Sequence, residues 1–101
     1  MTIPVTYDPA KRRQTLRERG LDFADAVRVF GGHTLQLEDT RWDYGERRFV
    51  TVGRLRGRLV VIVWTPRGDA RHIISMGKGN SREEARFAQR IEEGEGPPGP
   101  S

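Results

Sequence analysis

The sequence predicts an α+β fold in one small domain, with two helices first, an antiparallel meander in the middle and a helix last. Three observations predict it. Helix-capping residues occur near both ends of the chain, strand-like segments flanking a two-residue turn fill the middle, and 101 residues suffice for a single core. We place this domain at residues 1–93 and expect the Gly/Pro-rich residues 94–101 to form a disordered tail.

Two helices are predicted before residue 33. Asp8 followed by Pro9 is an N-cap with proline at the first helical position, and Gly20 fits the residue after a helix over 9–19. Asp22 can cap the second helix, with an acidic residue three positions later as in a capping box. The apolar residues at the spacing of one helical face are Phe23, Ala26, Val27 and Phe30.

The middle of the chain predicts strands. They are expected over residues 34–38, 47–55, 58–65 and 71–76, with turns over 56–57 and 66–69. Arg56-Gly57 between two Val- and Ile-rich segments is typical of a hairpin turn. Residues 59–64 are continuously apolar, which is typical of a strand covered on both faces.

The last helix follows a glycine-rich break. Gly77-Lys78-Gly79 is expected to end the third long strand, and Ser81 with Glu84 predicts a capping box. Phe87 and Ile91 share one face of this helix and would dock it.

The charge of the chain gives the first indication of function. Sixteen arginines and two lysines face 14 acidic residues, for a net charge of +4. Arginine forms planar, bidentate contacts with phosphate and carboxylate, so the expected partner is a nucleic acid or an acidic protein. A GC-rich genome would account for the arginine count equally well.

Several classes of protein are disfavoured. No run approaches the roughly 18 apolar residues of a membrane span, and residues 1–7 lack the apolar block of a signal peptide. Cysteine is absent, which excludes disulfides and zinc–cysteine sites, and the two histidines show no ligand spacing. We therefore expect a cytoplasmic protein that needs no metal or other cofactor and does not contact a membrane.

The residues that remain suit RNA cleavage. RNA can be cut without a metal when a base takes the 2′-hydroxyl proton, an acid protonates the leaving 5′-oxygen and cations hold the phosphate. The candidates for catalysis are Glu46, Arg48, His72 and Lys78. The candidates for RNA binding are Arg54, Arg67, Arg82 and Lys11.

These candidates also have structural interpretations. Glu46 and Arg48 share a strand face, where a surface salt bridge explains their spacing as well as a base with a phosphate clamp does. A lone histidine on a strand, such as His72, is more often a packed residue than a catalyst. Lys78 lies in a glycine-rich turn that lacks the Walker spacing, although Lys78 and Arg82 would lie near the positive end of the last helix.

Several short motifs follow one another along the chain. The series begins with Tyr7-Asp8-Pro9-Ala10-Lys11 and Arg19-Gly20-Leu21-Asp22-Phe23, followed by Ala26 and Phe30. It continues with Gly45-Glu46-x-Arg48-Phe49, Gly53, Thr65-Pro66-Arg67-Gly68, and Ile73-Ile74-Ser75-Met76 before Lys78, Asn80, Arg82 and Glu83. In this order and spacing, over about residues 5–90, the sequence resembles the BrnT toxin family.

The resemblance implies a RelE-like fold and a bacterial endoribonuclease toxin of a type II toxin–antitoxin pair. Such a toxin cleaves RNA, arrests translation and growth, and is neutralised by a BrnA-type antitoxin with a ribbon-helix-helix DNA-binding part. The implied assembly is a hetero-oligomer that contacts DNA only through the antitoxin and represses its own operon.

The sequence departs from the family pattern at four positions. Arg19 stands where the family usually has histidine, and His72 where it has arginine. Gly77 replaces an arginine and Gly79 an alanine. Loss of a guanidinium at Gly77 would remove about 2–4 kcal/mol of transition-state stabilisation unless Arg82 or His72 supplies the charge.

Two alternative functions follow. One is a catalytically weakened homologue that acts as an antitoxin-binding co-repressor module. The other is a protein-interaction domain whose arginines are compositional.

Overall fold

The computed structural model describes residues 3–92, and within them it has three α-helices and a five-stranded mixed sheet. The α+β prediction is confirmed. The elements are β1 (Val5–Thr6), α1 (Pro9–Arg19), a 3₁₀ turn (Phe23–Asp25), α2 (Ala26–Phe30), β2 (Thr34–Asp39), β3 (Arg48–Leu55), β4 (Arg58–Arg67), β5 (Ala70–Lys78) and α3 (Ser81–Glu92). The predicted tail lies outside the described residues.

The sheet has the strand order β1-β5-β4-β3-β2. Strands β2 to β5 form the antiparallel meander that the sequence predicts. Strand β1 adds to it in parallel, with Val5 opposite Arg71 and Thr6 opposite His72. The sequence analysis missed β1 because two residues are too few to show a strand periodicity.

The first helix has the predicted ends. The Asp8 side chain accepts a hydrogen bond from the backbone N–H of Ala10, and Gly20 ends the helix with φ of 69°. Asp22 caps the next segment as predicted, but that segment begins as a 3₁₀ turn and its α-helical part has five residues. Asp25 closes no capping box, since its carboxylate pairs with Arg28 and Arg56.

Strands β4 and β5 run further than predicted. β4 continues through Pro66 and Arg67, so the turn is confined to Gly68 and Asp69. Proline is tolerated there because β3 begins only at Arg48, so β4 is an edge strand on that side. β5 continues through Gly77 and Lys78, which pair with β4, so the predicted break before Lys78 is wrong.

The predicted capping box of α3 is also wrong by one residue. Asn80 and Glu83 form it, each side chain accepting a 2.8 Å hydrogen bond from the other residue's backbone N–H. Glu84 instead forms an ion pair with Arg54 on β3. A cap must lie immediately outside the helix, and the strand ending at Lys78 places Asn80 there.

The two faces of the sheet differ in how they are covered. On the core face, Val60, Ile62 and Trp64 of β4 join Ile73 and Met76 of β5 in the buried core. Phe23, Ala26 and Val29 from the 3₁₀ turn and α2 pack in the same cluster. We call the opposite side the open face. The 3₁₀ turn and α2 therefore cover the core face, whereas α1 contributes no buried residue.

On the open face, α3 covers one end of the strands. Phe87 is 4% exposed and Leu59 is 1% exposed, so α3 docks by Phe87 as predicted. The side chain of Ile91 lies outside the described residues. Val61 and Val63 are only half-buried, so β4 is covered on both faces at one end but not along its length.

Within residues 3–92, none of the helices combines the length and apolarity that crossing a membrane requires. The same residues contain no group of three or more His, Asp or Glu side chains placed to hold a metal ion.

Candidate active site

Four of the predicted site residues meet at one end of the open face. Thr6, His72 and Thr65 lie side by side on β1, β5 and β4, and alternation along β4 places Arg67 on the same face. Glu46 lies just before β3 and two residues from Arg48, near both Arg48 and Arg67. We call the group Glu46, Arg48, Arg67 and His72 the His72 end.

Glu46 lies between the two arginines. Its Oε1 is 3.9 Å from Arg48 Nε and its Oε2 is 3.8 Å from Arg67 Nη2. Both distances are too long for hydrogen bonds. Arg48 Nε is buried and has no hydrogen-bond partner in the described part of the chain. The Arg48 side chain is nevertheless 29% exposed, so an acceptor on a ligand can reach the guanidinium through its exposed part.

The loop between β2 and β3 fixes the position of Arg48. Asp39 accepts hydrogen bonds from the guanidinium of Arg41 and, at 3.0 Å, from the hydroxyl of Tyr44. The Arg41 guanidinium holds the pKa of Asp39 well below its usual range, so this carboxylate stays charged. The ring of Tyr44 then lies 4.0 Å from Arg48 Cζ in a cation–π contact. Asp39 therefore positions Arg48 through Tyr44.

His72 is held so that one ring nitrogen remains available. Its Nδ1 lies 2.8 Å from Thr6 Oγ1, a hydrogen bond that leaves Nε2 for a ligand. Burial lowers the pKa of His72 below its ordinary value of 6.5, and the charges of Arg67 and Lys11 lower it further against the opposing effect of Glu46. The imidazole is therefore neutral at pH 7 and can accept a proton.

Lys11 of α1 lies near enough to His72 to lower its pKa, whereas the remaining predicted site residues lie elsewhere. Lys78 is six residues from His72 along β5, which corresponds to about 20 Å. Arg54 pairs with Glu84 and stacks on the ring of Phe87 at 5.3 Å, and Arg82 lies exposed in the first turn of α3. We call the region of Arg54 and Lys78 the Lys78 end. No single phosphate group can contact both ends.

Three residues near these sites were missed by the sequence analysis. Thr6 carries no pattern of its own, whereas Tyr44 could have been noticed as an aromatic residue four positions before Arg48. Arg19 donates a 2.9 Å hydrogen bond from Nη1 to the carbonyl oxygen of Met76. The same Nη1 lies 3.3 Å from where a Cβ atom of Gly77 would be, so the Arg19 guanidinium lies beside Gly77.

Comparison with known families finds a match over residues 7–83, to the family described as "Ribonuclease toxin, BrnT, of type II toxin-antitoxin system". The match covers most of the chain and includes every residue of the His72 end. No curated protein sequence matches the chain significantly.

Proposed function

The chain belongs to the BrnT family of ribonuclease toxins of type II toxin–antitoxin systems, and from this premise we propose that it is an endoribonuclease that cleaves RNA at its His72 end without a metal. Cleavage arrests translation and growth in the cytoplasm, and a BrnA-type antitoxin neutralises the toxin in a hetero-oligomer. The observation that carries the proposal is a neutral histidine beside two guanidiniums that keep unengaged N–H groups.

The geometry supports a specific division of labour. In the tautomer whose Nδ1–H donates to Thr6 Oγ1, Nε2 of His72 accepts the proton of a 2′-hydroxyl, whose oxygen attacks the adjacent phosphorus. The bond from phosphorus to the 5′-oxygen breaks, water protonates that oxygen, and the hydroxide so formed takes the proton back from the His72 imidazolium. The products are a 2′,3′-cyclic phosphate and a 5′-hydroxyl. Arg48 and Arg67 bind the phosphate oxygens and stabilise the added negative charge, while Glu46 keeps the two guanidiniums together.

Although position 77 is a glycine, a positive charge is present beside it. The guanidinium of Arg19 lies beside it and is anchored on the carbonyl oxygen of Met76. This contact favours an active toxin over a weakened co-repressor module. We expect Gly77→Arg to change the cleavage rate by no more than about threefold, because Arg19 already supplies a charge at this place.

The test is cleavage of RNA by purified variants in the presence of EDTA, with primer extension on cellular RNA after induction. We expect His72→Ala and Arg48→Ala to slow cleavage by about 100-fold or more. His33→Ala, which changes the exposed loop histidine, is the matched control and should cleave like the parent chain.

Two other outcomes would contradict the proposed site or mechanism. If Lys78→Ala abolishes cleavage while His72→Ala and Arg48→Ala leave it unchanged, the reaction takes place at the Lys78 end. If the parent chain cleaves RNA only when a divalent metal is added, the metal-independent mechanism is wrong.

A further inference from the structure

Two rows of aliphatic side chains cross the open face between the His72 end and α3. In the first row, Leu37 of β2 lies opposite Val50 of β3, which lies opposite Val63 of β4. In the second row, Leu35, Val52 and Val61 are paired in the same way. We call these six residues the apolar strip. Its members are half-buried or exposed, and Leu37 is 73% exposed.

No other described element covers the strip. α2 and the 3₁₀ turn pack on the core face, and α3 reaches Leu59 in the next row. Strand β2 is the edge of the sheet, so the backbone groups on its outer side are unpaired. Trp42, in the loop that follows β2, is 71% exposed. A continuous apolar surface beside an open sheet edge is typical of a protein interaction site.

The chemistry of the strip favours a protein over RNA. RNA binds to open sheets by stacking its bases on aromatic side chains and by phosphate contacts. The six side chains of the strip offer neither rings nor hydrogen-bond donors. Aliphatic side chains of a partner protein would fill the surface between them.

The positive charges beside the strip indicate that the partner has acidic residues. Arg48 borders the first row and Arg67 lies one row further out, whereas Arg54, which borders the second row, is already paired with Glu84. Two copies of this chain meeting face to face would bring these guanidiniums against one another, which disfavours self-association. A partner segment with aliphatic residues on one side and acidic residues at its margins is complementary to the whole surface.

We propose that the apolar strip is the docking surface of the antitoxin, which lays an amphipathic, acidic segment across it. This inference rests on the proposed function, since it explains how the toxin is neutralised. Successive rows on one face of a sheet are about 7 Å apart. A segment over Leu37 and Val63 therefore overhangs the neighbouring row with His72 and closes the site to RNA.

The test uses the full chain and the purified antitoxin encoded beside its gene, with the dissociation constant measured by calorimetry. We expect Leu37→Lys to weaken binding by about 30-fold or more, the size of a strong single contact. Val63→Thr preserves the shape of a half-buried residue and should weaken binding several-fold. Leu16→Lys is the matched control, because Leu16 is an exposed leucine on α1. Circular dichroism shows whether each variant is folded.

The results separate the surface from the activity. If Leu37→Lys and Val63→Thr bind the antitoxin as tightly as Leu16→Lys, the docking proposal is overturned. It is also overturned if Leu37→Lys weakens RNA binding and leaves antitoxin binding intact, because the strip would then belong to the substrate. If neither the parent nor any variant cleaves RNA but Leu37→Lys still loses the antitoxin, the proposed activity fails and the docking surface stands.

Discussion

The two ends of the sheet both carry arginines, but those arginines are engaged differently. At the His72 end, Arg48 and Arg67 lie 3.8–3.9 Å from a shared carboxylate, and one buried guanidinium nitrogen has no partner in the described part of the chain. At the Lys78 end, Arg54 forms a close ion pair with Glu84, contacts the carbonyl oxygen of Gly57 and lies on the ring of Phe87.

This difference separates binding from structural roles. Arg54 joins β3 to α3, and Arg56 joins the β3–β4 turn to Asp25 before α2. Those guanidiniums are occupied by the fold itself, whereas the guanidiniums at the His72 end retain donors for a phosphate. Net charge does not distinguish these structural arginines from the arginines of the His72 end, but the contacts of each side chain do.

If the Lys78 end has a structural role, the largest effect of a substitution there should be on the free energy of unfolding. Phe87→Ala should lower the free energy of unfolding by about 3 kcal/mol, because it empties the contact by which α3 docks. Chemical denaturation measures it, with Arg86→Ala, an exposed neighbour, as the control. Under conditions where the variant stays folded, cleavage should match the parent. A folded variant that has lost its activity would show that the two ends are not independent.

The pH dependence of cleavage tests the His72 end directly. In the proposed mechanism the neutral imidazole is the base. Because burial lowers its pKa below 6.5, kcat/KM should be constant above that pH. Below the lowered pKa, it should fall about tenfold per pH unit. The stability that neutral His72 contributes is likewise present above pH 6.5 and is lost as pH falls through the lowered pKa.

A second variant identifies the charge that acts on His72. Arg67→Ala removes a cation that lowers the pKa, so the acid limb of the profile should move to higher pH. Arg54→Ala at the Lys78 end should leave the limb where it is. A limb that is the same in both variants and in the parent would contradict our assignment of the base.

A smaller effect is expected at the ring beneath Arg48. Tyr44→Ala removes the cation–π contact and should slow cleavage about tenfold, at the upper part of the range for a partly buried contact. Tyr44→Phe keeps the ring and loses only the hydrogen bond to Asp39, so it should slow cleavage less. Steady-state kinetics decides, and equal rates for both variants would mean that the ring does not position Arg48.

Local signals predicted much of the fold. The caps at Asp8 and Gly20 and the turn at Arg56-Gly57 follow from residue types that favour those conformations, and both turn residues have positive φ. The position of Asn80 as the cap of α3 depends on where β5 ends. That end is set by pairing with Val60 and Val61, which are distant in the sequence.

The candidate site was predictable only in part. The spacing of Glu46 and Arg48 predicts that they share a strand face. Glu46 instead lies in the loop before β3, but its carboxylate is still 3.9 Å from Arg48 Nε. Lys78 was expected in a glycine-rich turn near the positive end of the last helix; it instead ends β5, six residues from His72. The contact of Arg19 with Met76 joins residues 57 positions apart, and no local pattern encodes it.

The bond between Thr6 and His72 has a consequence for the timing of protein synthesis. It joins positions 66 residues apart, and β1 can pair only with a finished β5. A nascent chain on the ribosome thus displays residue 6 long before the histidine that it orients has been made. His72 therefore gains its hydrogen-bond partner only after β5 has been synthesised and has paired with β1.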